Sequence, residues 1–265
     1  MPFPIGGPLL DRLVRRTHPA AEAPGRQRLF TESSPELIYA IGDVHGRLDL
    51  LRSLESKIVD DAAALAQPAW LVMLGDYVDR GPQSAQVIDH LLAPPPPGFA
   101  RYCLAGNHEL AMLDFLGHPR ANHAWLEFGG DETLRSYGIE AAPGRCSPRQ
   151  LAQSIESHIP AAHRHFLATL PMLLATPDFI FVHAGLRPGI AIEAQNDSDL
   201  SGIRDGFGQS YEEFERRIVH GHMPLAKPFE APFRIGVDTG AYATGRLTAV
   251  RLRPNAPATF LSSAS

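Results

Sequence analysis

The sequence predicts an α/β sandwich: two facing β-sheets with helices on their outer faces and a polar, ligand-binding edge. Three observations lead there. Apolar, strand-like runs alternate with segments of helical spacing from Leu37 onward, which is the pattern of βαβ units. Several runs end in short polar stretches that contain glycine: "GDVHG" (42–46), "GDYVDRG" (75–81), "GNHE" (106–109), "HAG" (183–185) and "HGH" (220–222). The spacing is regular, with 33 residues from Asp43 to Asp76 and 31 from Asp76 to Asn107, each about one βαβ unit. Three loops therefore reach the carboxyl edge of one sheet, where open α/β sheets bind ligands.

Residues 1–35 are rich in Pro, Gly, Ala and Arg, and "LLDRLVRR" suits one short amphipathic helix. They read as an extension, a tether or surface arm, ahead of a main domain spanning 36–265. "LIYAIGDVHG" is a strand and its loop, and Leu48–Leu65 is a helix with Leu48, Leu51, Leu54 and Ile58 on one face. Trp70–Leu74 is short, continuous and apolar, hence a buried strand. Ser84–Leu92 is the next helix, "PPPP" (94–97) a stiff connector, and "FARYCLAGNHE" a third strand with its loop. From about 110 to 176, "ELAMLDFLG", "SPRQLAQSIESHI" and "AAHRHFLATL" read as a mostly helical insertion. Strand-like runs then return in "FIFVHAG", "RIVHGH", "FRIGVD" and "LTAVRL". Their connections are too short for crossover helices, so a second sheet, mixed or antiparallel, is expected.

A formal charge of −5 argues against a reader of duplex nucleic acid. Two cysteines, Cys103 and Cys146, make no disulfide framework and fit a reducing compartment; Cys103 reads as a buried small hydrophobe. No apolar stretch reaches the length of a membrane span, and no apolar segment follows the basic residues Arg12, Arg15 and Arg16. The expectation is a soluble cytoplasmic protein without nucleic-acid or membrane partners.

Together the five polar stretches present Asp, His and Asn side chains. Imidazole and carboxylate are the usual ligands of divalent metals such as Mn, Fe and Zn. One histidine after a strand is ordinarily a packing residue, whereas five such endings in sequence point to a metal centre. Asp76, Asp79 and Arg80 follow the second strand, and burying those carboxylates costs several kcal/mol per ion unless a partner holds them.

These stretches resemble the signature of the metallophosphoesterases, and within them the PPP-type serine/threonine protein phosphatases of the bacterial and bacteriophage lambda kind. "RIGVDTGAYATGRLTAVRL" resembles the closing strands of the same enzymes, and the likeness spans about residues 38–252. It implies a calcineurin-like sandwich of two mixed β-sheets flanked by helices. It also implies two divalent ions, Mn first and Fe or Zn as alternatives, and in-line attack by a hydroxide shared between them. Asp43 and His45 would hold one ion, Asn107, His183 and His222 the other, and Asp76 would bridge. "GHMP" places the last ligand at His222 and leaves His220 to support or packing. His108 would protonate the leaving group, oriented by Asp79. Arg80 would grip the phosphate, as would Arg204 of "GIRDGF", where Gly202 replaces the family's tryptophan; Arg187 competes with Arg204 but sits in a turn-like context.

Other candidates are set aside. Glu109 reads as loop support, Asp49 as helix charge, and His163 and His165 as an exposed helical face. His90, His118, His123 and His158 have no spacing that recommends them. "HPRANHAWLEFGGDETLRSYG" resembles a region lying over the site in bacterial relatives, and either shapes access or packs. Three functions compete. The leading one is a metal-dependent phosphatase of phosphoserine or phosphothreonine proteins and peptides. The alternative is a symmetrical dinucleoside tetraphosphatase, whose second motif lacks the aspartate found here at Asp79. The third is a catalytically dead binding module on the same fold.

Overall fold

The computed structural model describes residues 25–140, 147–204 and 214–264. The chain begins with β1 (Arg28–Phe30), β2 (Leu37–Ile41), α1 (Leu48–Leu65), β3 (Ala69–Met73), α2 (Ser84–Leu92) and β4 (Phe99–Cys103). Helices α3 (Asn107–Gly117), α4 (Gly130–Ser136), α5 (Pro148–His158) and α6 (Ala161–Thr169) follow, with a 3-10 turn at Ala124–Phe128. Then come β5 (Leu173–Ala175), β6 (Phe179–Val182), α7 (Asp197–Gly202), β7 (Arg217–His220), β8 (Phe229–Ala231) and β9 (Arg234–Gly236). The described chain closes with α8 (Ala241–Thr244), β10 (Thr248–Leu252) and β11 (Thr259–Ser262).

The strands form two mixed sheets, ordered β11-β10-β2-β3-β4 and β1-β5-β6-β7-β9-β8. β2, β3 and β4 are parallel, as the βαβ rhythm requires, and β10 pairs antiparallel with β2. In the larger sheet β6 runs parallel to β7, and β7 to β9. Strand periodicity divides the core in two. Ile38, Ala40, Val72, Leu74, Val250 and Leu252 meet Leu174, Phe179, Phe181, Val219, Ile235 and Val237 between the sheets. The alternate residues Leu37, Tyr39, Ile41, Leu71 and Met73 join Leu48, Leu51, Leu54 and Ile58 of α1 on the outer side. Because both faces are covered, these strands are continuously apolar rather than alternating.

The structure alters several expectations. "LTAVRL" is β10, and it joins the first sheet because the turn around α8 carries the chain across the sandwich. The stretch before residue 36 is not all arm: β1 pairs parallel with β5, and Arg26 donates to the carbonyls of Leu170 and Leu167 at 3.1 and 2.6 Å. Residues 1–24, including "LLDRLVRR", lie outside the described residues, as does Cys146. The helical stretch ends at Thr169, and Leu173–Ala175 belongs to the sheet. His163 is buried, not on an exposed face; it bonds Tyr137 Oη at 2.8 Å and Asp89 at 2.9 Å, tying α6 to α4 and α2. Cys103 is half-buried at the end of β4. Among the described residues no helix is long and apolar enough to cross a membrane.

Phe181 is fully buried between the sheets. Phe181→Ala should cost about 3–5 kcal/mol of unfolding free energy, read from urea denaturation with an unchanged slope.

Candidate metal centre

The loops after β2, β3, β4, β6 and β7 converge at one edge of the sandwich. Asp43, His45, Asp76, His108, His183 and His222 are all buried there. Their backbones are unusual. His45 (φ 44°), Asp76 (53°), Asp79 (74°), Arg80 (68°) and His222 (64°) are five of the eight non-glycine residues with positive φ among the described residues. Such conformations cost roughly 1–3 kcal/mol each and persist only where surrounding contacts impose them. At Asp76 the contact is Glu109: its buried carboxylate accepts the backbone N–H groups of Asp76 (2.8 Å), Tyr77 (2.7 Å), Val78 (3.3 Å) and Gly106 (2.9 Å).

Two glycines permit the close approach. A Cβ on Gly106 would lie 2.1 Å from Asp76 Oδ1, and one on Gly221 would lie 2.1 Å from Asp43 Oδ1. Asp76 Oδ1 accepts the His108 amide at 3.1 Å, at the N-terminus of α3, where the helix dipole favours negative charge. Asp43 accepts the His222 amide at 3.1 and 3.2 Å, closing the first loop onto the last.

Asp76 is the hub. Its Oδ2 lies 3.4 Å from His183 Nε2, 3.6 Å from His45 Nε2 and 3.8 Å from His108 Nε2. Two trios gather ligand atoms within 4.8 Å of one another, His45–Asp76–His108 and Asp76–His183–His222, and Asp76 is common to both. Asn107 Oδ1 adds a neutral oxygen 3.0 Å from His183 Nε2 and 3.0 Å from His222 Nδ1. Asp43 stands on the His222 amide, outside the first trio, where the sequence had placed a ligand.

Backbone carbonyls orient two of the imidazoles. His45 Nδ1 donates to the Val78 carbonyl and His183 Nδ1 to the Leu74 carbonyl, both at 2.9 Å, which turns each Nε2 toward Asp76. Burial pushes the His45 and His222 imidazoles down to about 3, so both are neutral. His222 Nε2 is buried without a hydrogen-bond partner. Burial would also lower His183, but Asp76 and then Asp43 outweigh it and raise that ring to about 10.

The carboxylates complete the picture. Burial and then Asp238 push Asp43 well above its ordinary pKa, and Asp238 is itself raised by burial. Burial alone would raise Asp76, but His183, His108 and His45 hold it well below the usual range. A buried, carboxylate-rich cluster with neutral imidazoles at His45 and His222 and an orphaned imidazole nitrogen fits divalent cations. Asp238 was missed in the sequence, although "GVDTG" repeats the strand–Asp–Gly pattern of the other loops.

Beside this cluster, His108 Nδ1 bonds Asp79 Oδ2 at 2.6 Å. Asp79 is fully buried and further held by the Trp125 indole N–H (2.7 Å) and the Thr133 hydroxyl (2.6 Å). The stretch left open between access and packing thus supports the Asp79–His108 pair. The signal was a tryptophan, which when buried needs an acceptor for its N–H. The Arg80 guanidinium lies 3.1 Å from both His45 Nε2 and His108 Nε2. Arg204 is exposed, and its charge helps lower His222. Arg187 instead pairs with Asp199 at 2.7 and 2.5 Å. His220 ends β7 and packs edge-on against Phe229, its ring 6.0 Å away; the left-handed turn at His222 stops the two histidines from sharing a strand face.

The model of the calcineurin-like phosphoesterase family matches residues 37–255, and the chain belongs to that family: it is a metallophosphoesterase, a hydrolase with candidate residues for a dinuclear centre. Its relatives include the asymmetrical bis(5'-nucleosyl)-tetraphosphatase PrpE of Bacillus velezensis, 24% identical over 230 residues, covering 80% of this chain and 87% of the relative. A solved structure of a putative diadenosine tetraphosphatase shares the fold at TM-score 0.60 and 21% identity, over 89% of this chain and 98% of that one. A protein serine/threonine phosphatase from Saccharomyces cerevisiae shares it at TM-score 0.53 and 16% identity, over 89% and 82%.

Asp76→Asn removes the charge common to both trios. Elemental analysis after metal loading should find both equivalents weakened together, whereas Asn107→Ala should weaken only one. Two equivalents bound by Asp76→Asn as tightly as by the unaltered protein would contradict the hub.

Proposed function

We propose that this protein hydrolyses dinucleoside polyphosphates at a dinuclear metal centre, with His108 as the proton donor to the leaving group. The observation that carries the chemistry is the Asp76 hub, common to two trios of ligand atoms, with the His108–Asp79 bond of 2.6 Å beside it. The substrate class is supported by relatives that carry tetraphosphatase names and match this chain over most of both lengths. They are named asymmetrical, which favours cleavage beside one nucleoside over the symmetrical reaction weighed as the alternative to the phosphoprotein phosphatase first expected.

Asp43, His45 and Asp76 would hold one ion, and Asp76, Asn107, His183 and His222 the other. Manganese is the metal the resemblance favours, with iron or zinc as alternatives. When bound, such a pair supplies an activated water and polarises the phosphoryl oxygens. The rest falls to side chains. Asp79 fixes the proton of His108 at Nδ1 and leaves Nε2 to serve the leaving oxygen. Burial lowers the His108 pKa, but Asp76 and Asp79 outweigh it and keep the ring readily protonated. Arg80 presents a planar fork to the phosphoryl oxygens, and Arg204 adds positive charge at the exposed rim.

A second reading, a serine/threonine protein phosphatase of PPP type, has its own support in Asp79. A held acid matters most for an alkoxide, which leaves poorly, and least for a phosphate. Comparing kcat/KM on diadenosine tetraphosphate and a phosphoserine peptide decides between them. The tetraphosphate should be preferred at least tenfold; the reverse preference would favour the protein substrate and overturn the first reading.

The leaving group also tests the acid. His108→Asn should slow phosphopeptide hydrolysis by ~10²–10⁴-fold and nitrophenyl phosphate hydrolysis much less. Asp79→Asn should show the same bias more weakly, and the double variant should be far from additive. Equal losses on both substrates would mean that His108 is not the acid.

A further inference from the structure

Among the described residues, the large apolar side chains that remain exposed are Phe30, Leu92, Phe128 and Tyr242. Phe30 is on the edge strand β1 and Leu92 at the end of α2, whereas Tyr242 stands beside Arg80 and Phe128 adjoins Gly129, whose backbone meets Arg80. Arg80 Cζ lies over one face of the Tyr242 ring, 4.6 Å from its centroid, and the His45 ring meets Tyr242 edge-on at 5.4 Å. Phe128 precedes Gly129, whose carbonyl accepts the Arg80 N–H at 3.2 Å; a Cβ on Gly129 would lie 2.7 Å from Arg80 N.

From this arrangement we infer that Tyr242, with Phe128 as a second wall, is a stacking platform for the nucleobase of a nucleotide whose phosphate lies at Arg80. The inference rests on the nucleotide reading proposed above and adds where the base sits.

The mounting of Tyr242 is rigid. Asp238 Oδ1 accepts the Gly240 N–H at 2.8 Å, and the Thr244 hydroxyl donates to the Thr239 carbonyl at 2.9 Å. The Thr239 hydroxyl reaches the Arg246 carbonyl and the Thr248 hydroxyl, both at 2.8 Å, and Arg47 donates to the Ala241 carbonyl at 3.3 Å. A ring recruited only for packing would be enclosed by these contacts, yet Tyr242 remains 40% exposed at the mouth of the polar edge. The chemistry of the occupant follows from the juxtaposition. A guanidinium recognises phosphate, and the exposed side of the fixed aromatic ring beneath it recognises a planar ring attached to that phosphate. A nucleotide has both parts, whereas a phosphoserine peptide has no planar group close to its phosphate.

Calorimetric titration of the metal-loaded protein with AMP and with inorganic phosphate tests this. The unaltered protein should bind AMP more tightly than phosphate. Tyr242→Ala should weaken AMP by about tenfold, within the range for one aromatic–base stack, and leave phosphate unchanged. Tyr242→Phe should behave as the unaltered protein, and Phe128→Ala should give a smaller loss for AMP alone. Equal weakening of AMP and phosphate by Tyr242→Ala would show that the ring only steadies Arg80 and would overturn the platform, as would an unaltered protein without AMP preference. Diadenosine tetraphosphate hydrolysis is measured alongside. Its absence, with a Tyr242-dependent AMP preference intact, would reject the tetraphosphate substrate and retain the base site.

Discussion

The polar edge of this molecule depends on one buried carboxylate. Glu109 accepts backbone N–H groups from Asp76, Tyr77, Val78 and Gly106, joining the loop after β3 to the start of α3. Hydrogen bonds to a charged group contribute about 1.5–3 kcal/mol each, enough to offset left-handed backbone at Asp76 and its neighbours. With that turn in place, Asp76 points back at three imidazoles, while Asn107 and His108 leave the helix start toward it. Remove the clamp and the ligand atoms lose their common focus, although the sandwich core, made of other residues, would remain.

The clamp carries an electrostatic difficulty. Burial and the charge of Asp76 push the Glu109 carboxyl up to about 7, and Asp43 and Asp238 are raised by the same crowding. Two nearby imidazoles give no counter-charge, since burial holds His45 and His222 neutral. Divalent cations relieve both problems at once. They lower the field that raises the carboxyls, and they occupy the His45 lone pair already aimed by the Val78 carbonyl. The strain, the buried acids and the tautomers thus have one common explanation.

Much of this was legible in the sequence because local signals agreed. The bounds of α1 and α2 follow from apolar spacing alone, and glycine-bracketed loops at βαβ intervals located Asp76, Asn107 and His108 before any coordinates. Features set by long-range packing were hidden. β10 has the same apolar pattern as a strand of the second sheet, and only its pairing with β2 places it in the first. β1 is three residues long in a Pro- and Gly-rich stretch, so no periodicity reveals it. Trp125 and Thr133 reach Asp79 from more than forty positions away, and nothing local to either announces a carboxylate partner. His163 looked like part of an exposed face because its partners are Tyr137, just past α4, and Asp89 of α2. Substrate identity was least legible, since the same motif set serves monoesters and anhydrides.

The central claim is that buried carboxylates and neutral imidazoles at this edge are balanced by two divalent ions. Titration of chelator-treated protein with Mn²⁺, followed by calorimetry and by thermal unfolding, tests it most directly. The account predicts two equivalents bound and an unfolding temperature that climbs with free metal, equivalent to about 2.7 kcal/mol at a hundredfold excess over Kd for one site. Saturation at less than one equivalent, or an unfolding temperature indifferent to metal and chelator, would contradict it.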